Sequence, residues 1–354
     1  MRRRDEIWLD GIDLELSSGL TVLLGPLGAG KSTLMRVMAG LQPLTTGRVI
    51  VKGKDVSAIS VRKRSVAFVY QQFINYPSLT VHENIASPLR LDSAFPNKDV
   101  DRRVREVAEL MGLGDLLDRR PAELSGGQQQ RTAIARALAR PVDVLLLDEP
   151  LANLDYKLRE QLRGDLRRRF AGSPSVVVYS TADPAEALGF AAPTVVLGEG
   201  RVQHVGDAAD MYDRPPTLAV AAALSDPPLN LLPGIVRDGR IECMGASVPA
   251  PREYATGRHV VLGVRPHQVS IDSAVVGALA FPAEIRLAEV TGSATFLHLL
   301  LRGDRHLVAQ VKGTRPVTPG EPATAYVDPA HVLVFDEAGA RLTAGSTTGV
   351  DPHG

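Results

Sequence analysis

At 354 residues the chain exceeds one ordinary core, and a soft prior of one domain per roughly 150 residues points to two or three. Its 40 basic and 40 acidic residues cancel to a formal net charge of +0, which argues against nucleic acid held by bulk electrostatics. The opening Met1-Arg2-Arg3-Arg4 is followed by acidic residues and no apolar h-region, so a secretory signal is not expected, and no run nears the roughly 18 apolar residues of a membrane span. Cys243 is the single cysteine, so no intrachain disulfide can form and a reducing compartment is expected.

Taken in order, Ile7-Trp8-Leu9 and Ile12-Asp13-Leu14-Glu15-Leu16 alternate as strands do, and Ser17-Ser18-Gly19 turns into an apolar strand, Leu20 to Leu24. That strand ends in Gly25-Pro26-Leu27-Gly28-Ala29-Gly30-Lys31-Ser32-Thr33, and Leu34 to Ala39 continue as a helix. The spacing fits the Walker A pattern G-x-x-x-x-G-K-[ST]. Gly25, Gly28 and Gly30 let backbone N–H groups face phosphate oxygens, and the helix start carrying Thr33 adds its positive end. Lys31 is placed to reach β- and γ-phosphates, and Ser32 to offer its hydroxyl to Mg2+. A plain glycine turn would explain the glycines but not Lys-Ser at that position.

Gly40 and Pro43 stop the helix; Gly47 to Val51 with the turn Lys52-Gly53-Lys54 reads as a strand, and Val66 to Tyr70 as another that ends at Gln71-Gln72. The pattern is then helical: Val81 to Pro88, and Asp99 to Met111 with Val100, Val104, Val107, Leu110 and Met111 on one face. This insert closes with Leu124-Ser125-Gly126-Gly127-Gln128-Gln129-Gln130-Arg131 and an amphipathic helix from Thr132 to Ala139. Ser125, Gly126, Gly127 and Gln128 form a second anion site at a helix start. One chain cannot bring both sites to the same phosphate from separate subdomains, so a second subunit is implied. Val144 to Leu147 is an apolar run of the kind buried on both faces of a parallel sheet, with Asp148 and Glu149 at its C-terminal end, where open α/β sheets place their chemistry. Asp148 suits a metal role and Glu149 the polarisation of an attacking water.

A helix from Tyr156 to Phe170, a strand from Ser175 to Tyr179 and a helix from Pro184 to Phe190 carry the alternation to about Gly206. Pro215-Pro216 and Pro227-Pro228 flank Leu218 to Leu224, and beyond Pro233 short strands dominate, beginning with a hairpin that has Asp238-Gly239 at its tip. The expected fold is an α/β P-loop NTPase cassette over 1–225 with a helical subdomain at about 73–140. An all-β, OB-like domain over 230–338 and a flexible tail over 339–354 are expected to follow.

Walker A, Gln71, the Leu-Ser-Gly-Gly-Gln signature, the Walker B acids and Leu151-Ala152-Asn153-Leu154-Asp155 as a D-loop, in this order, closely resemble the ATP-binding-cassette (ABC) ATPases. The resemblance implies ATP and Mg2+ as cofactors, Gln71 beside Ser32 and Asp148 at the metal and beside Glu149 in catalysis, and two cassettes sandwiching two ATP molecules head to tail. Pro227 to Gly234, Leu262-Gly263-Val264-Arg265-Pro266 and Val327-Asp328-Pro329-Ala330-His331 resemble the MOP-type regulatory domain of maltose-type importer ATPases. Tyr70-Gln71-Gln72-Phe73-Ile74-Asn75-Tyr76-Pro77 resembles the ATPase pair of bacterial glycerol importers. By that resemblance the chain lies peripherally at the cytoplasmic face of a bacterial inner membrane. There it is expected to pair with a second ABC ATPase subunit, a heterodimer ahead of a homodimer, and with two permease subunits served by a solute-binding protein. The expected cargo is glycerol, otherwise a sugar or glycerol phosphate. Residues 73 to 88 would face the permeases, although Phe73, Tyr76 and Ile85 also suit the core of the helical insert.

Two departures stand out. The family's switch histidine falls on Ala182, which removes a polar contact from the place where γ-phosphate charge develops; loss of one such group commonly slows chemistry by about 10²- to 10³-fold. The aromatic that stacks on adenine falls near Arg3, and the neighbouring Trp8 reads as core. A non-hydrolytic regulatory cassette serving a competent partner is therefore the alternative, and a soluble ABC ATPase acting on DNA or ribosomes is disfavoured by the neutral charge.

Overall fold

The computed structural model describes residues 2–3, 6–92, 95–152, 154–251, 254–272 and 276–342; Asn153 of the expected D-loop and residues 343–354 of the expected tail lie outside them. The chain divides into two compact units, Met1–Asp210 and Met211–Gly354.

In the first unit, β1 (Gly19–Leu24), α1 (Lys31–Ala39), β2 (Val66–Val69), α2 (Val81–Arg90), α3 (Val100–Leu110), α4 (Gly126–Ala139) and β3 (Val144–Asp148) follow one another. After them come α5 (Tyr156–Phe170), β4 (Val176–Thr181), α6 (Pro184–Phe190), β5 (Pro193–Gly198) and β6 (Arg201–Asp207). Six strands form one sheet in the order β6-β5-β1-β4-β3-β2, parallel except for β6 against β5. The registers Leu24↔Thr181 and Asp148↔Ser180 bring the C-terminal ends of β1, β4 and β3 to one edge. That edge carries the chemistry.

The alternation at Ile12, Leu14 and Leu16 does not produce a strand. These side chains are partly buried against a core containing Leu9, Leu23, Leu34 and Leu197, without entering a ladder. Alternation reports one-sided burial, and packing alone meets that requirement. Likewise Gly47 to Val51 contributes only the two-residue strand Ile50–Val51, paired with Lys54–Asp55.

In the helical subdomain α2 packs on both α3 and α4. A capping box opens α2, with Glu83 N–H donating to Thr80 Oγ1 (3.2 Å) and Thr80 N–H to Glu83 Oε2 (2.8 Å). Asn84, fully buried in this helix, donates to the carbonyls of Tyr76, Leu79 and Thr80 and accepts from Tyr76 N–H. One amide thus pins the loop that links β2 to α2. Ile85 is core, whereas Ile74 and Tyr76 on that loop are exposed and Phe73 is half-buried.

α7 (Ala208–Asp213) spans the division between the units, and α8 (Leu218–Ala223) packs within the second, Ala221 against Leu229, Leu333 and Phe335. Among the described residues ten strands follow: β7 (Asn230–Arg237), β8 (Arg240–Cys243), β9 (Ala246–Pro249), β10 (His259–Val264), β11 (Val269–Ser270), β12 (Leu279–Val290), β13 (Ala294–Leu301), β14 (Arg305–Lys312), β15 (Pro322–Val327) and β16 (Leu333–Asp336). They make two five-stranded antiparallel sheets, β9-β8-β7-β10-β16 and β11-β15-β12-β13-β14, around one shared core that includes Leu232, Phe281, Leu297 and Val327. Asp238 and Gly239 both have positive φ (48° and 71°) at the expected hairpin tip, where the strand twist calls for them. The architecture is a P-loop cassette with a helical subdomain followed by a small near-barrel of antiparallel strands.

Candidate nucleotide site

The loop after β1 is shaped by its glycines. A Cβ on Gly25 would lie 2.2 Å from the carbonyl oxygen of Leu197, and Gly30 has a φ of 99° at the start of α1. Gly28 lies open to solvent, and Ser32 and Thr33 are half-buried in the first helical turn. Lys31, only 5 % exposed, folds back over this loop: its Nζ donates to Gly25 O (2.7 Å) and Pro26 O (3.2 Å) and pairs with Glu149 Oε1 at 3.3 Å. The other Glu149 oxygen, Oε2, accepts from Gln71 Nε2 at 3.0 Å. Glu149 itself sits at a φ of 46°, in the left-handed region that costs a β-carbon about 1 kcal/mol or more.

Beside it, Asp148 is 2 % exposed at the end of β3. Its Oδ1 accepts from Ser32 Oγ (3.0 Å) and from Ser180 Oγ (2.8 Å), and its Oδ2 accepts no hydrogen bond among the described residues. Ser180 also accepts from Glu149 N–H at 3.1 Å. Lys31, Ser32, Gln71, Asp148 and Glu149, from three separate stretches of sequence, are thus joined by hydrogen bonds and one ion pair, with Ser180 from a fourth closing the chain. Sequence reasoning passed over Ser180. Its signal was a serine, followed by Thr181, at the end of the run Val176-Val177-Val178-Tyr179.

This donor set fits Mg2+ carried in by a nucleotide. It offers one carboxylate oxygen, a serine hydroxyl and the Gln71 amide, oxygen ligands too few to cage a cation, and Mg2+ characteristically completes its shell with phosphate oxygens and water. Among the described residues no group of three or more His, Cys, Asp or Glu could hold a metal by itself.

Among the described residues the signature shares no hydrogen bond with this cluster. Ser125 caps α4 by accepting from Gln128 N–H (3.3 Å) while Gln128 Oε1 accepts from Ser125 N–H (2.9 Å). The helix therefore begins at Gly126, six residues before the expected start at Thr132, because the capping box satisfies its first turn. A Cβ on Gly126 meets nothing within 4 Å, whereas one on Gly127 would approach Leu154 Cδ2 to 3.1 Å. Ala182 is exposed just past the end of β4, between Thr181, whose Oγ1 accepts from Asp183 N–H (3.0 Å), and Asp183, which caps α6. Trp8 is half-buried. Its carbonyl oxygen lies where a Cβ on Gly200 would be 2.5 Å away and one on Gly30 3.2 Å away.

The ABC transporter family model matches residues 9–152. Over 338 residues, 94% of this chain and 91% of the relative, the sequence is 38% identical to an sn-glycerol-3-phosphate import ATP-binding protein of Chromohalobacter salexigens. The chain belongs to the ABC transporter ATPases. Within that family it is an importer ATPase of the carbohydrate and polyol type: the models for the CysA C-terminal regulatory domain and the TOBE domain match residues 230–271 and 262–335 of this ABC ATPase. A xylose/arabinose import ATP-binding protein of Haloferax volcanii is 35% identical over 347 residues, 96% of this chain and 91% of the relative. Among solved structures, an ATP-binding cassette described as a dimeric post-hydrolysis state bound to ADP and Pi is similar at 29% identity and a TM-score of 0.51, covering 56% of this chain and 90% of that one. As an ABC ATPase the chain binds and hydrolyses ATP with Mg2+.

Proposed function

We propose that this cassette powers import of a small polyol or its phosphate, with sn-glycerol 3-phosphate as the first solute to test, and that it does so at the cytoplasmic face of the membrane in a pair of cassettes beneath two permease subunits. The reading is supported most directly by the bonded cluster of Lys31, Ser32, Gln71, Asp148 and Glu149 at one sheet edge. Glycerol-phosphate import is named for several relatives that align along nearly the whole chain, and that favours the phosphorylated polyol over free glycerol. Among the described residues no helix is long and apolar enough to cross a membrane, so passage of the solute falls to other subunits.

Bound with Mg2+, ATP supplies the phosphoryl group whose transfer to water releases the energy. Lys31 holds the β- and γ-phosphates once its ammonium turns from Glu149. Ser32, Asp148 and the Gln71 amide oxygen would hold the cation. Glu149 orients the attacking water and takes its proton on a carboxylate oxygen, with Gln71 steadying that carboxylate. Ser125, Gly126 and Gly127 serve the nucleotide of the partner cassette, a role supported by the lack of any hydrogen bond between them and the Lys31 cluster among the described residues and by the dimeric cassettes among similar structures. Ala182 favours a division of labour in which this chain's own site turns over slowly beside a partner that keeps an imidazole.

The test is ATP-driven uptake by proteoliposomes carrying the chain with candidate permease subunits and a solute-binding protein. Uptake of labelled sn-glycerol 3-phosphate is expected. Transport of xylose to the exclusion of the glycerol compounds would overturn the solute, and transport that persists with both Glu149→Gln and Gly126→Asp in this chain would overturn the engine.

A further inference from the structure

We propose that Ser180 is a positioning residue for both acids of the nucleotide site, acting through two hydrogen bonds that tie the metal carboxylate to the peptide of the water-orienting glutamate. The proposal rests on the roles given above to Asp148 and Glu149. The Ser180 side chain is fully buried at the end of β4, directly across the ladder from Asp148. Its hydroxyl proton goes to Asp148 Oδ1 at 2.8 Å, and its oxygen takes the Glu149 N–H at 3.1 Å. Each bond does something the other cannot.

Asp148 Oδ1 receives two hydroxyls, Ser32 from the start of α1 and Ser180 from the neighbouring strand. Held from two elements, the carboxylate cannot pivot about its χ2, and Oδ2 keeps one direction for the cation. The second bond concerns the backbone. Glu149 leaves β3 with a φ of 46°, and a residue in that region persists only where its surroundings over-determine it. The Glu149 N–H has its acceptor in Ser180, and without it a part-buried donor would be left unpaired at the strained residue. Ser180 thus sets where the Glu149 carboxylate starts from, between Lys31 Nζ and Gln71 Nε2.

A merely structural serine would affect stability alone; a positioning serine changes how the site uses magnesium. The experiment compares the full chain with Ser180→Ala, Ser180→Thr and Asp148→Asn in three measurements: ATP affinity with Mg2+ and with EDTA, steady-state kcat and KM of the full chain alone, where every site is this chain's own, and nucleotide-free amide exchange of the segment 145–151. For Ser180→Ala we expect unchanged affinity in EDTA, affinity with Mg2+ roughly tenfold weaker, kcat lower by about 10- to 100-fold and faster exchange at 145–151. Ser180→Thr, which keeps the hydroxyl, should recover most of the magnesium dependence. A Ser180→Ala chain whose Mg2+ increment and kcat lie within twofold of the parent would overturn the proposal. So would equal losses with and without Mg2+. If Asp148→Asn also keeps the full Mg2+ increment, the underlying site assignment falls; if it loses that increment while Ser180→Ala does not, only the role of Ser180 falls.

Discussion

Lys31 Nζ and Glu149 Oε1 lie 3.3 Å apart, the ammonium almost wholly buried and the carboxylate largely so. The cation assigned to the phosphates and the base assigned to water therefore neutralise one another, which spares the protein an unpaired buried charge. Nucleotide binding must exchange this ion pair for one with phosphate. The pair is a latch between Walker A and Walker B.

Lys31→Ala should weaken MgATP binding by roughly 100-fold, because several charge-assisted contacts are lost together while the apolar core beneath α1 is untouched. Equilibrium titration with a fluorescent ATP analogue checks this. Affinity within threefold of the parent would contradict the assignment.

Assignment of the signature to the partner's nucleotide gives a test of asymmetry. In a heterodimer whose partner keeps its imidazole, Glu149→Gln in this chain should cost the assembled transporter less than about threefold in ATP turnover, since the Glu149 site is the slow one. Gly126→Asp should stop it, because the added carboxylate at the start of α4 would meet the γ-phosphate in the fast site. ATPase assays on the two variants decide the matter. Equal and severe losses would point to a homodimer.

Glu186 gives a pH dependence whose sign is fixed by burial. Its carboxyl accepts from Tyr179 O–H at 3.1 Å, and desolvation raises its pKa above the ordinary 4.5, against the smaller opposing pull of the Thr181 and Tyr179 hydrogen bonds. A raised pKa means the folded chain holds the proton more tightly than the unfolded one. The stabilisation is full below the ordinary value and is lost as pH rises through the raised one. Glu186→Gln keeps an acceptor for Tyr179 and cannot ionise. Relative to the parent, its melting temperature should rise by roughly 2–4 °C between acid and mildly alkaline pH, followed by circular dichroism. A pH-independent difference would contradict the buried-acid account.

Much of the first unit was legible because its chemistry is local in sequence. Gly25 to Thr33 specify a strand, a loop and a helix within a few residues, and Leu145-Leu146-Leu147-Asp148 announces a buried parallel strand with an acid at its working end. What the sequence did not give up was non-local. Ser180 gains its role only when β4 pairs with β3 and sets its hydroxyl beside Asp148. The Leu14 and Leu16 alternation was indistinguishable from that of a strand because period-2 burial carries no record of whether a ladder partner exists. Asn84 lay hidden for a similar reason: in the sequence it is one polar residue of a helix, yet folded it holds four backbone groups of the loop before it.

At Ala182 an alanine stands at the edge shared by β1, β4 and β3. The most direct measurement is steady-state ATP hydrolysis by the full chain and by Ala182→His at saturating MgATP. Ala182 is exposed, so an imidazole meets no core there. If the site built on Lys31, Asp148 and Glu149 is intact but short of one polar contact to the γ-phosphate, the variant should gain roughly 10- to 100-fold in kcat with KM little changed. An unchanged or lower kcat with unaltered ATP affinity would contradict the claim that the missing imidazole limits this site.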